Sequence, residues 1–202
     1  MLFLQTVEPA TLALLKRLQS SPFLSGTRLV GGTALALQIG HRTSVDLDLF
    51  GSWSPQDRLQ AAVETCGKAV RQGGQGRMQF YRVDGVKVDF MTYTAPWLDP
   101  PVVEDGLRLA GLRDIAAMKL FAIANRGSRK DFVDVWFLLS RFRLEEMVAW
   151  FREKFPDAAL FAVFRSLVYF DDAESDFPPH MLAPFDWEKA KADIRAAVEA
   201  LA

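Results

Sequence analysis

The chain has 202 residues, half of them hydrophobic, which is enough for one large domain or two small ones. Its 24 lysines and arginines balance 25 aspartates and glutamates, so the formal charge is −1 and no global basic field marks a nucleic-acid binder. Cys66 is the only cysteine, which excludes an intrachain disulfide framework and fits a reducing compartment, with the cytoplasm expected.

The opening MLFLQTVEPATLALL lacks a basic stretch and meets Glu8 and Pro9 early, so it is not read as a signal peptide. No apolar run reaches membrane-spanning length, and no membrane role is expected. Glu8 to Ser20 has the spacing of an amphipathic helix, with Pro9 in its first turn and Pro22 just beyond its end. Arg28 to Val30 predicts a short strand. Gly31 and Gly32 turn the chain into a helix over Thr33 to Ile39, stopped by Gly40. Thr43 to Phe50 predicts the next strand. Ser54-Pro55-Gln56-Asp57 has the pattern of a capped start for a helix reaching about Val70. Arg77 to Val83 and Val86 to Thr92 alternate, and Asp84-Gly85 between them is the preferred type I′ hairpin turn.

Tyr93 to Pro101 holds three prolines and is expected to be the loop leaving the sheet, with Leu107 to Ala110 as a possible edge strand. Beyond Gly111 the pattern turns helical, over Arg113 to Asn125, Lys130 to Ser140, Leu144 to Lys154, Ala158 to Val168 and Trp187 to Leu201. Tyr169 to Pro184 is acidic and proline-containing and predicts an exposed loop. The expected organisation is an α/β region over 1–105 and a helical region over 106–202, packed together with a cleft between them.

Two aspartates one residue apart carry the chemical signal. In SVDLDLF, strand periodicity points Asp46 and Asp48 one way and Leu47 and Leu49 the other. Like charges held that close need a positive partner, and divalent cations supply it. Asp89, in VKVDF, offers a third carboxylate from a similar apolar strand. Carboxylates that bridge two metals are a general apparatus for phosphoryl and nucleotidyl transfer. The Gly31-Gly32-Thr33 turn lets backbone approach a ligand at a helix N-terminus and adds a hydroxyl, which suits a triphosphate. Lys119 is the only charge in IAAMKLFAIA and reads as a cation for a phosphate, and Asp131 and Asp134 share one helix face, where Asp134 is expected to orient Lys119 or Arg126 or to contact the nucleotide. His41 and His180 are too far apart in sequence to suggest a zinc site, and G-x-S-x-G is absent.

The strings GGTALALQIGHRTSVDLDLF, VKVDF and MKLFAIANRGSRKDFVDVWFLL together resemble the AbiEii/AbiGii nucleotidyltransferase toxin family, of the polymerase-β-like superfamily, over about residues 25–142. The resemblance implies a mixed α/β (α+β) nucleotidyltransferase palm followed by a helical bundle. It implies Asp46, Asp48 and Asp89 as catalytic, metal-binding carboxylates holding two Mg²⁺ ions, with Mn²⁺ as an alternative. Lys119 would match the family's lysine motif and be a catalytic residue that holds the outer phosphates with Gly32 and Thr33. Gly31, Gly32, Thr33, Arg42, Ser44, Lys130, Asp131 and Asp134 would serve the nucleotide. The implied reaction moves a nucleoside monophosphate from an NTP to a hydroxyl of RNA, tRNA or protein, as the toxin of a toxin–antitoxin or phage-defence system, and a toxin–antitoxin role would bring a cognate antitoxin as partner. The alternatives are an antibiotic-type small-molecule nucleotidyltransferase and a non-catalytic nucleotide-binding module.

Overall fold

The computed structural model describes residues 1–53 and 58–201. The expected cap at Ser54-Pro55-Gln56-Asp57 lies outside the described residues. The chain divides into two units. The first comprises Met1–Thr94 and Pro100–Ala110, and the second comprises Ala95–Asp99 and Gly111–Ala202.

The first unit is built on a mixed seven-stranded sheet. Its strands are β1 (Thr27–Val30), β2 (Leu47–Gly51), β3 (Ala69–Gly73), β4 (Met78–Val83), β5 (Val86–Thr92), β6 (Val102–Glu104) and β7 (Leu107–Leu109). They run in the order β3-β4-β5-β2-β1-β7-β6. β2 pairs antiparallel with β1 and parallel with β5, and β1 pairs parallel with β7. Period-two alternation divides the sheet's faces. Leu29, Leu47, Leu49, Tyr81, Val83, Val88, Phe90, Leu107 and Leu109 form one apolar face and are buried. The opposite face carries Asp48, Phe50, Phe80, Lys87, Asp89 and Met91. Helices α1 (Pro9–Ser20), α2 (Gly31–Ile39) and α3 (Leu59–Glu64) pack on the sheet and bury Leu14, Leu15, Leu18, Leu35, Leu37 and Val63.

The second unit is helical: α4 (Leu112–Asn125), α5 (Arg129–Leu139), α6 (Leu144–Lys154), α7 (Leu160–Leu167), α8 (Asp171–Glu174) and α9 (Trp187–Glu199). Helix α4 lies against α5, α6 and α7, and α9 lies against α5 and α7. Ile115, Leu120, Phe132, Leu138, Met147, Phe151, Leu167 and Ile194 fill its core.

Four stretches depart from the sequence reading. The second strand begins at Leu47 rather than Thr43. The residues before it bond elsewhere: Ser44 N–H donates to the Thr6 carbonyl at 2.9 Å, and the Asp46 carbonyl accepts from the Thr33 hydroxyl. The helix expected to reach Val70 stops at Glu64, and Ala69–Gly73 forms an edge strand on β4, a non-local pairing that overrides local helical pattern. Val102–Glu104 pairs with Leu107–Leu109 through Asp105-Gly106, whose φ angles of 52° and 76° repeat the left-handed pair at Asp84-Gly85, 49° and 85°. Asp171–Glu174 is a helical turn inside the stretch expected to be loop.

Candidate active site

Eight of the expected site residues belong to the first unit. Gly31 leaves β1 with φ +69°, and a Cβ built there would overlap the Asp48 carboxylate at Oδ2. Only glycine meets both demands, the left-handed conformation and the closeness of the carboxylate. Asp48 thereby sits at the start of α2, where the positive end of the helix dipole offsets its charge. At Gly32 an added Cβ would strike the Arg42 guanidinium and touch Ser44 Oγ, so Arg42 lies flat against this turn. Arg42 is itself buried, 3 % exposed, and donates from Nη1 to the Thr43 carbonyl at 2.9 Å.

Thr33 is also buried. Its hydroxyl lies 2.7 Å from Ser44 Oγ and donates to the Asp46 carbonyl. A hydroxyl has one proton and a carbonyl can only accept, so Ser44 donates to Thr33. The pair clamps the loop that delivers Asp46 onto the first turn of α2. Thr6 backs the same loop: its carbonyl takes the Ser44 N–H, and its hydroxyl donates to the Phe3 carbonyl at 2.8 Å.

Asp48 and Asp89 are register partners on the adjacent parallel strands β2 and β5. Neighbouring strands lie roughly 4.8 Å apart, so two carboxylates stand side by side on one face, an arrangement that repels. Asp46 precedes β2 by one residue and is half-buried. The Asp89 Oδ1 atom is buried with no hydrogen-bond partner, while Oδ2 meets Lys87 Nζ at 3.0 Å. Burial pulls the Lys87 ammonium down, but the Asp89 hydrogen bond and the charges of Asp89, Asp46 and Asp48 outweigh it, so the net shift is upward.

An unpartnered buried oxygen beside a second carboxylate is a hard, anionic donor set of the kind Mg²⁺ or Mn²⁺ takes. Among the described residues, no three His, Cys, Asp or Glu side chains already converge as a metal cage. Any divalent cation held by this pair would have to complete its shell with oxygens from outside the chain.

The other four expected residues belong to the second unit. Lys119 is buried and its Nζ lies 2.8 Å from Asp131 Oδ1 and 2.6 Å from Asp134 Oδ2. Asp131 Oδ2 takes Ser128 Oγ at 2.6 Å and Arg126 Nε at 3.2 Å. Burial pushes the Asp131 carboxyl up, but the charges of Lys119 and Arg126 and the bonds from Lys119 and Ser128 hold it at about 2. Lys130 is exposed in the first turn of α5. Asp131 also lies in the first turn of α5, which is the ordinary place for an acid.

Two charged residues escaped the sequence reading. Lys87 occupies the strand face of Asp89 two residues away, and the alternation in VKVDF carries that signal. Lys154 is fully buried at the end of α6 and pairs with the equally buried Asp114. It also donates to the Pro96 carbonyl at 2.6 Å and lies 4.8 Å from the centre of the Trp97 ring. The signal was positional: Leu144, Met147, Phe151 and Lys154 fall on one helical stripe, and a lysine on an apolar stripe needs a buried partner.

The family model described as nucleotidyl transferase AbiEii toxin, type IV toxin–antitoxin system, matches residues 13–200. An uncharacterized protein of Aquifex aeolicus is 35 % identical over 179 residues, covering 85 % of each chain. The fold is similar to JHP933 of Helicobacter pylori, with a TM-score of 0.59 at 19 % identity over 96 % of this chain and 93 % of that one. It is also similar to MenT4, a nucleotidyltransferase toxin of Mycobacterium tuberculosis, with a TM-score of 0.58 at 19 % identity over 96 % and 82 % of the two chains. Among the described residues, no helix is long and apolar enough to cross a membrane.

Proposed function

The chain belongs to the AbiEii nucleotidyltransferase toxin family, and from that premise we propose that it transfers a nucleoside monophosphate from an NTP to an acceptor hydroxyl, releasing pyrophosphate. The observation that carries the reading is the Asp48–Asp89 pair, side by side on β2 and β5 with one buried oxygen left without a partner. Asp46, Asp48 and Asp89 would hold the divalent cations. When bound, such cations neutralise charge at the α-phosphate and acidify the attacking hydroxyl.

The residues of the chain divide the remaining work. Gly31 and Gly32 bring backbone N–H groups of α2 within reach of phosphate oxygens. Arg42, packed on that turn, supplies a fixed positive charge beside it. Thr33 and Ser44 act on the loop geometry, holding Asp46 in place rather than lending their protons to the ligand. Lys119, Asp131 and Asp134 form one buried ionic cluster whose role is to fix the start of α5 and the exposed Lys130 beside it.

For the acceptor we favour RNA, tRNA included. The formal charge is only −1, yet Lys68, Arg71, Arg77, Arg82 and Lys87 are exposed along and beside β3, β4 and β5. A local basic surface of this kind suits a polyanion. As a toxin of this family it would act under a cognate antitoxin.

Incubating the protein with each labelled NTP, Mg²⁺ and total RNA, beside Asp48→Ala, tests the proposal. Label should appear on RNA, and the variant should lose it by on the order of a thousandfold. Label on protein instead would move the acceptor to a protein hydroxyl. Failure to label any acceptor with any NTP would overturn the catalytic reading.

A further inference from the structure

The face of the sheet opposite its apolar side carries a cation beside its carboxylates. Lys87 lies two residues before Asp89 on β5, and strand periodicity puts both on the same face. Its Nζ is 3.0 Å from Asp89 Oδ2, and the side chain is 46 % exposed. Asp89 Oδ1, on the other limb of the same carboxylate, is buried and has no partner. The two oxygens are thus distinguished: one is engaged by an ammonium, and the other is buried without a donor.

A cation at that position has two physical effects. It offsets part of the repulsion among Asp89 and its neighbour carboxylates, which stabilises their approach in the absence of metal. It also repels any divalent cation that comes to Asp89, because like charges at such separations interact appreciably even at a partly exposed site.

We propose that Lys87 is a positioning residue of the nucleotidyl-transfer site. It holds Asp89 through Oδ2, leaves Oδ1 as the oxygen for a divalent cation or an acceptor hydroxyl, and serves as a counter-cation of Asp89 when no metal is bound. The proposal rests on the reading of Asp46, Asp48 and Asp89 as cation-binding carboxylates. It makes Lys87 a competitor of the metal, so removal of its charge strengthens metal binding. A side chain that merely stabilised the strand would leave metal affinity unmoved.

The test is Mn²⁺ titration of the full chain without nucleotide, followed by the paramagnetic resonance signal of free Mn²⁺, for wild type, Lys87→Met, Lys87→Arg and Asp48→Asn. Lys87→Met should bind Mn²⁺ on the order of tenfold more tightly, Lys87→Arg should match wild type, and Asp48→Asn should lose most of the affinity. Lys87 is half exposed, so the methionine variant should fold, and a thermal melt checks this. Equal or weaker Mn²⁺ binding by Lys87→Met, with Asp48→Asn still impaired, overturns the role of Lys87 and leaves the carboxylate site standing. Absence of Mn²⁺ binding by wild type, or binding indifferent to Asp48→Asn, overturns both.

Discussion

In the sheet unit, Asp48 and Asp89 face each other across two parallel strands, and one Asp89 oxygen is buried without a donor. In the helical unit, Asp114 and Asp131 are more deeply buried, yet every oxygen they carry is met. Asp114 takes Lys154 and the Leu98 N–H on Oδ1 and the Asp99 N–H on Oδ2. Asp131 takes Lys119 on Oδ1, and Ser128 and Arg126 on Oδ2. Buried charge is tolerated where donors surround it and costly where they do not. The contrast teaches that burial alone does not mark a working carboxylate. An unmet oxygen beside a like charge differs in that its partner has to come from outside the chain.

The comparison can be broken at three points. Asp114→Ala strands the buried Lys154 ammonium and should cost about 3–5 kcal/mol, read as a fall in Tm of roughly 10 °C for a chain of this size. Joint replacement, Asp114→Leu with Lys154→Met, should recover much of that loss, since no charge remains unmatched. If Asp114→Ala melts like wild type, the helical aspartates are not structural in the sense argued.

Acid should expose the second difference. The Asp131 carboxyl is held at about 2, below its ordinary 3.8, so its contribution is fully present above about 3.8 and is lost as pH falls through about 2. The contribution is on the order of 2 kcal/mol. Asp131→Asn should therefore flatten the fall in denaturant midpoint between about pH 4 and 2, and an unchanged slope there would contradict the assignment.

The smallest effect has the opposite sign. Asp48→Asn removes a like charge opposite Asp89, so it should raise stability in metal-free buffer by under about 1 kcal/mol while transfer activity disappears. A melt in EDTA reads it, and a lowered Tm would show that the pair is held together by more than the sheet register.

Much of this contrast could be read before the fold was known. The alternation in LDLF and VKVDF places Asp48 and Asp89 on one face of the sheet, while Asp46 falls before β2, and the Gly31-Gly32-Thr33 turn falls where β1 passes into α2. What escaped was non-local. Nothing near Ala69 announces that it will pair with β4, because an edge strand draws its stability from a partner distant in sequence. The second Asp-Gly hairpin was overshadowed by Pro100 and Pro101, although it repeats the chemistry of the first. Thr33 reads as a phosphate ligand in one dimension. The fold adds that its hydroxyl donates to the Asp46 carbonyl.

The short stretch Ala95–Asp99 has a consequence for how such proteins can be rearranged. The chain enters the helical unit for five residues, returns to the sheet for β6 and β7, and only then leaves for good. Those five residues supply the Pro96 carbonyl to Lys154 and the Leu98 and Asp99 amides to Asp114. A helical fragment beginning at Gly111 would carry both buried charges without their backbone donors and acceptor. The halves are therefore not interchangeable cassettes, and any recombination between relatives must move the 95–99 loop together with the helices that it completes.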